Sequence, residues 1–347
     1  MAYSWKVRLI LLVLGIALFT FLISQVGPSI LFSHLRLLGW KLPILLLPYL
    51  MVYILDSVGW RYALGQRFSS IPLFTIFSIR MAGESLNYLT PMASLGGEPL
   101  KAYLLNRRGV PLPQGLASLV VAKTIMIMAH LLFIVIGLLM AIRPSGAEGP
   151  FIAASVAAMA TGIPAIALFF SVQRRGLFSG LLKLTKAVRL KLPPLEKREA
   201  DFRSLDRIIA NFYLQDQWAF ASSFTFFFIG WMVGSLEVYL LLTFLGMPVS
   251  LPTAVAIEAL STLAKAAAFF IPGSLGLQEG GNILAFLAFS LPSQAAMTFS
   301  LVRRGRELLW AGLGLLALAH YELRGWDSLR ASGMILPGSE PKGHEDR

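Results

Sequence analysis

Apolar residues run along this chain in blocks of about twenty, the length of α-helix that crosses a bilayer core. Full-length blocks are Leu9 to Gln25, Leu42 to Trp60, Gln114 to Ile142, Phe151 to Val172, Trp218 to Leu245 and Gln294 to Ala319. Two further blocks are interrupted. Pro72 to Thr90 carries Arg80, Glu84 and Asn87 and ends at Pro91, and Pro252 to Ile271 carries Glu258 and Lys265 and ends at Pro272. A glycine-rich turn follows each, at Gly96 and Gly97 in the first and at Gly273 and Gly276 in the second, and then a short helix. The pattern predicts an all-α polytopic membrane protein with about six full transmembrane helices and two re-entrant, broken-helix segments. Membrane-spanning strands show short alternating segments instead.

The two interrupted blocks match. Glu98 and Glu279 each lie seven residues after the breaking proline, and Glu84 and Lys265 each lie seven before it. Gln114 and Lys123 are nine apart, as are Gln294 and Arg303. Three full-length blocks separate the two units, an odd number, so the second unit is expected to be inverted in the membrane. Transporters built from inverted repeats place their binding sites where broken helices meet near the midplane. Non-helical backbone survives at that depth only inside protein or beside a water-filled cavity. The expected organisation is one integral membrane domain: N-terminal helices over 9–71, a first repeat over 72–172, a basic loop over 173–217, a second repeat over 218–319 and a polar tail over 320–347.

Composition agrees with this reading. Of 347 residues 56% are hydrophobic and only 14% charged, with a mean hydropathy of +0.70. A net charge of +12 then reflects Lys and Arg gathered on the cytoplasmic side and gives no reason to expect nucleic acid. The segment from Gln173 to Gln217 is the most basic. Its charge places it on the cytoplasmic side, where it would be drawn to anionic inner-leaflet lipids. If the two interrupted blocks each enter and leave by the same side, both termini are cytoplasmic too, and the expected location is a bacterial or archaeal inner (cell) membrane. There are no cysteines, and His34, His130, His320 and His344 lack metal-ligand spacing, so neither metal nor cofactor is expected. Trp5, Trp40, Trp60 and Trp218 read as interfacial anchors. Nothing in the sequence sets an oligomeric state.

The charges inside apolar blocks carry the chemistry. Arg80, Glu84 and Asn87 stand at i, i+4 and i+7, on one helix face, and Glu258, Thr262 and Lys265 repeat that spacing. Each ionised side chain at the bilayer centre costs about 2.5–3.5 kcal/mol. Facing lipid together, this set would cost on the order of twenty kcal/mol, beyond ordinary folding stability. The charges must face inward, pair, or line a wet cavity. Candidate substrate-binding residues are Arg80, Glu84, Asn87, Glu98, Lys101, Lys123, Glu258, Lys265, Glu279, Arg303 and Glu307, shaped by Pro91, Gly96, Gly97, Pro272, Gly273 and Gly276. Glu237 and Arg304 read as helix-locking ion pairs, and Asp56 and Arg61 as interfacial groups. Pro99 suits the first turn of a short helix, with Glu98 near its cap, where free N–H groups favour negative charge. Equivalent positions of an inverted repeat are mirrored about one axis, so Glu84 and Lys265 are expected to form a direct pair or to share one polar cavity.

The stretches "ESLNYLTPMASLGGEPLKAYLL" and "FFIPGSLGLQEGGNILAF" resemble the transmembrane region of the lysylphosphatidylglycerol synthase family, also called flippase-like or UPF0104 membrane proteins. The resemblance runs from about Leu9 to Ala319. Asn87, Pro91, Gly97, Glu98 and Lys101 match its first motif, and Pro272, Gly273, Gly276 and Glu279 its second. In the longest members this block flips an aminoacylated phospholipid that a separate soluble domain makes. With 28 residues after Ala319, the resemblance implies lipid translocation without aminoacyl transfer on this chain. The substrate would be a membrane lipid of phospholipid, glycolipid or hopanoid type. A membrane-embedded enzyme modifying a lipid headgroup is the alternative, and an accessory subunit of a lipid biosynthesis pathway a third. The missing metal and nucleophile motifs weigh against the enzyme.

Overall fold

The computed structural model describes residues 36, 38–65, 70–89, 96–142, isolated positions within 153–180, 199–267 and 277–331. The expected span Leu9 to Gln25 and the turn residues Pro91, Pro272, Gly273 and Gly276 lie outside the described residues, as does much of Phe151 to Val172. The described elements are helical: α1 (Leu42–Leu64, entered through a 3-10 turn at Gly39–Lys41), α2 (Leu73–Leu89), α3 (Gly97–Asn106), α4 (Leu112–Ile142), α5 (Glu199–Gln215), α6 (Gln217–Phe244), α7 (Leu251–Ala267), α8 (Leu277–Leu287) and α9 (Ser293–Ala331).

Among the described residues, three helices are long and apolar enough to cross a membrane: Gly39–Leu64, Leu112–Ala141 and Gln217–Phe244. The fourth long helix, α9, carries Arg303, Arg304, Arg306 and Glu307 in a single turn. The first interrupted block is α2 and the second α7, each followed by a short helix, α3 and α8. At the end of α1, Gly65 takes φ +94°, a backbone region that glycine adopts without the clash of a Cβ.

Small residues set the helix contacts, as expected where backbones must approach closely without water to drive them together. α1 lies along α6. The Ser223 hydroxyl donates to the Gly59 carbonyl at 2.9 Å, and Gly59 leaves room for the Phe227 ring. The interrupted helices are packed crosswise. α2 lies against α9 and α7 against α4, while α3 packs on α2 and α4 and α8 packs on α7 and α9. Each cross contact has a glycine on the long helix. A Cβ at Gly137 of α4 would lie 2.3 Å from the Ala259 methyl of α7. At Gly314 of α9 it would lie 2.3 Å from the Met81 carbonyl oxygen of α2.

The basic segment contains more than a solvated surface. Its residues 199–215 form α5, which packs on α4 and α6 through the buried Leu205, Ile209 and Phe212. This i, i+4, i+7 stripe is hidden from a charge-based reading because Arg203 and Arg207 share the helix. Trp60 also departs from expectation. It is buried, and its indole N–H donates to Ser118 at 3.2 Å. Trp40 and Trp218 are exposed, as anchors would be.

Candidate functional site

Two clusters of charge occupy the bundle, one around each interrupted helix. In the first, α2 presents Arg80, Glu84 and Asn87 along one face, and α3 brings Glu98 and Lys101 against it. Lys101 Nζ lies 2.7 Å from Glu84 Oε1 and 2.9 Å from Glu98 Oε1. Asn87 donates to Glu84 at 3.4 Å and accepts the Gly97 N–H at 2.7 Å. One of the free N–H groups at the start of α3 is therefore already taken, and Glu98 turns to Lys101 instead of capping the helix. The contact depends on two glycines. A Cβ at Gly97 would lie 1.9 Å from the Gly83 carbonyl oxygen, and a Cβ at Gly83 would meet the Lys101 stem at 2.3 Å.

Arg80 donates to Asp56 of α1 at 2.6 Å. Asp56 is thus not interfacial: it lies within α1 and provides the partner that keeps Arg80 charged away from water. Lys123 of α4 is exposed. It lines a cleft of about 100 Å³ together with Trp60, Arg80, Glu84, Glu98 and Lys101. Among the described residues no acid lies within ion-pair distance of it. Counted with Lys123, the first cluster holds three acids (Asp56, Glu84, Glu98) and three cations (Arg80, Lys101, Lys123), and its formal charge is zero.

In the second cluster α9 supplies three of the four cations. Arg303 pairs with Glu258 of α7 and donates to Ser261 at 2.9 Å. Ser261 continues to Asn282 of α8, and Asn282 to Ser300 at 2.8 Å. Arg306 pairs with Glu237 of α6 and lies over the Tyr49 ring, 3.1 Å from its centroid. Arg304 binds Glu279 of α8 at 2.9 Å and Glu307 at 3.3 Å, and Lys265 of α7 binds Glu307 at 2.8 Å. Four acids (Glu237, Glu258, Glu279, Glu307) meet four cations (Lys265, Arg303, Arg304, Arg306). Neutrality and pairing offset part of the insertion cost that isolated charges carry. Between the clusters, Tyr53 of α1 packs on Trp310 of α9 at 5.2 Å and on Tyr49 at 6.2 Å.

Every described candidate from the sequence falls into one of these clusters. Glu84 and Lys265 do not pair with each other, however; each is engaged within its own half, Glu84 by Lys101 and Lys265 by Glu307. Glu237 and Arg304 belong to the same network as the candidate residues. The spacing that matched Glu98 to Glu279 also matches Asp56 to Glu237, each 35 residues before its proline, and that signal could have identified Asp56. Arg306 had no such signal beyond a third arginine within one turn. His130 stacks face to face on Trp231, ring centroids 3.8 Å apart. Among the described residues no group of three or more His, Cys, Asp or Glu side chains could hold a metal ion.

A family model described as the lysylphosphatidylglycerol synthase TM region matches residues 7–314. The chain belongs to that family. A curated relative, the "UPF0104 membrane protein" of Methanothermobacter thermautotrophicus, is 24% identical over 328 residues, covering 90% of this chain and 95% of that one. No solved structure matches the chain. All residues of both charge clusters, from Asp56 to Glu307, fall within the part that matches the lysylphosphatidylglycerol synthase TM region.

Proposed function

We propose that this membrane protein is a lipid translocase. It moves a polar headgroup across the bilayer between its two interrupted helices while the acyl tails stay in lipid. The observation that carries this reading is the cleft beside α2 and α3, where the unpaired Lys123 faces Glu84 and Glu98, both held by the single Lys101. A site that only locked helices together would leave no cation over. A phosphate entering beside Lys123 would complete its pairing. Lys101 has three N–H donors and can shift from either carboxylate toward an incoming anion, which frees Glu84 or Glu98 for a cationic or hydroxyl group.

The crosswise packing supports an inverted repeat in which α1 to α4 correspond to α6 to α9. The sequence offset supports the same correspondence. Lys101 and Asn282 each lie ten residues after their proline, and each links its interrupted helix to the short helix that follows. In such an arrangement α2 moves with α9 and α7 with α4, so rocking of the two units opens the charged region to each side in turn. Both termini and segment 173–217 lie on the cytoplasmic side of the cell membrane in this reading.

The test is transfer of a fluorescent phospholipid in proteoliposomes, read by quenching from outside. Lys123→Gln and Glu98→Gln are each expected to slow transfer at least about tenfold, equivalent to 1.4 kcal/mol on the barrier, with folded yield retained. Normal rates in both variants would overturn the proposal. A lipid chemically altered by the purified protein would favour the headgroup-modifying enzyme.

A further inference from the structure

A second cleft, of about 190 Å³, opens between the end of α1, the first turns of α4, the last turns of α5 and the start of α6. Its lining differs in kind from the charged cleft, because among the described residues it contains no lysine or arginine. Its polar groups are the amides of Gln114, Asn211 and Gln215, the carboxylate of Asp216 and the hydroxyl of Ser118. Ser118 is committed: it accepts from Trp60 and donates to the Gly115 carbonyl at 2.8 Å. The others are available. Asp216 immediately precedes α6, and its side chain makes no cap bond there. Asn211 and Gln215 are exposed one turn apart on α5. Gln114 spends only its N–H₂ group, donating to the Leu64 carbonyl at 3.4 Å. Phe212 supplies an apolar floor.

We infer that this cleft binds an uncharged, hydroxyl-rich group, a sugar or polyol. An amide both donates and accepts, and a carboxylate accepts from two hydroxyls at once; together these groups match a ring of alternating O–H donors and acceptors. A phosphate or carboxylate ligand would find no cation among the described lining residues and would be repelled by Asp216. The position matters as well. Ser118 lines this cleft and Trp60 lines the charged one, so the Trp60–Ser118 hydrogen bond forms the wall between them. A lipid whose headgroup carries both phosphate and hydroxyls would meet adjacent sites of matching chemistry. Assigning the bound group to the moving lipid rests on the translocation reading; the binding itself does not.

The experiment uses the full chain in phosphatidylcholine nanodiscs, with retained lipid read by native mass spectrometry. The probes are monoglucosyl diacylglycerol, diacylglycerol and phosphatidylethanolamine, with free methyl β-D-glucoside as competitor. The glucosyl lipid is expected to be retained at least about tenfold more strongly than diacylglycerol. Asn211→Leu combined with Gln215→Leu, both on the exposed face of α5, is expected to abolish that preference with an unchanged unfolding temperature, and Asp216→Asn to weaken it. Lys123→Gln should leave it intact while slowing phospholipid transfer, so failure here and failure of the translocation reading are separable. Direct binding of the free glucoside to the chain, seen in the same spectra without retention of the glucosyl lipid, would assign the site to a soluble sugar and supports the same chemistry. Equal retention of diacylglycerol, stronger retention of phosphatidylethanolamine, or no effect of the Asn211 and Gln215 changes overturns the inference.

Discussion

Lys101 is 4% exposed, and it bridges two carboxylates from two helices. Removing one member of a buried ion pair leaves the other charge without compensation, typically at about 3–5 kcal/mol, so Lys101→Met is expected to lose about that much stability. The Lys265 side chain is 41% exposed, so solvent screens its pairing with Glu307, and Lys265→Met is expected to cost no more than about 1 kcal/mol. A double-mutant cycle on unfolding in detergent checks the pairing directly. Lys101→Met with Glu84→Gln should show a coupling energy of about 0.5–3 kcal/mol, whereas Lys265→Met with Glu84→Gln should show essentially none. Strong coupling in the second cycle would contradict the separate engagement of the two residues.

The helices approach where glycine permits it, and the two crosswise contacts make different predictions. Gly137→Ala drives a methyl into Ala259 of α7, and overpacking of this kind costs about 1–3 kcal/mol. Ala259→Gly in the same chain returns the space, so the double variant is expected to recover most of the loss. Gly314→Ala meets the Met81 carbonyl oxygen, which no side-chain substitution can remove. It is expected to remain destabilised in any such rescue. Thermal unfolding of the purified variants distinguishes the cases, and failure of Ala259→Gly to rescue Gly137→Ala would show that α4 and α7 meet elsewhere. At the same scale α5 ties the basic segment to the bundle. Gln173 donates to Thr124 at 2.8 Å and accepts from Tyr213 at 3.1 Å, one residue along α4 from Lys123.

For the whole molecule, the decisive question is which face of the membrane each interrupted helix approaches. The chain has no cysteine, so single thiols report without background. The tripeptide Ser-Leu-Gly occurs in both turns, at 94–96 and 274–276. Ser94→Cys and Ser274→Cys are therefore conservative probes, one residue out of step when the two prolines are aligned. An impermeant thiol reagent applied to intact cells is expected to label only one of them, and disrupted cells to allow both. Labelling of both from outside would rule out the inverted arrangement.

The sequence by itself determined the helical class, the positions of the interruptions and the residues that carry charge, because apolar blocks of spanning length and breaking prolines are local features of the chain. Arg80, Glu84, Glu258 and Arg303 were all visible as charges that could not face lipid, whereas Asp56 reads as interfacial. Their partners were not visible. Residues 24 to 69 apart in the chain meet in the pairs Arg80–Asp56, Arg303–Glu258 and Arg306–Glu237, and the choice among several possible acids depends on which helix faces which. The tertiary structure decided that Glu84 belongs to Lys101 and not to Lys265, that Trp60 is a buried wall and not an anchor, and that Lys123 is left over. Helix packing settles these because an ion pair needs its atoms within about 4 Å, and only the arrangement of the helices decides which side chains come that near.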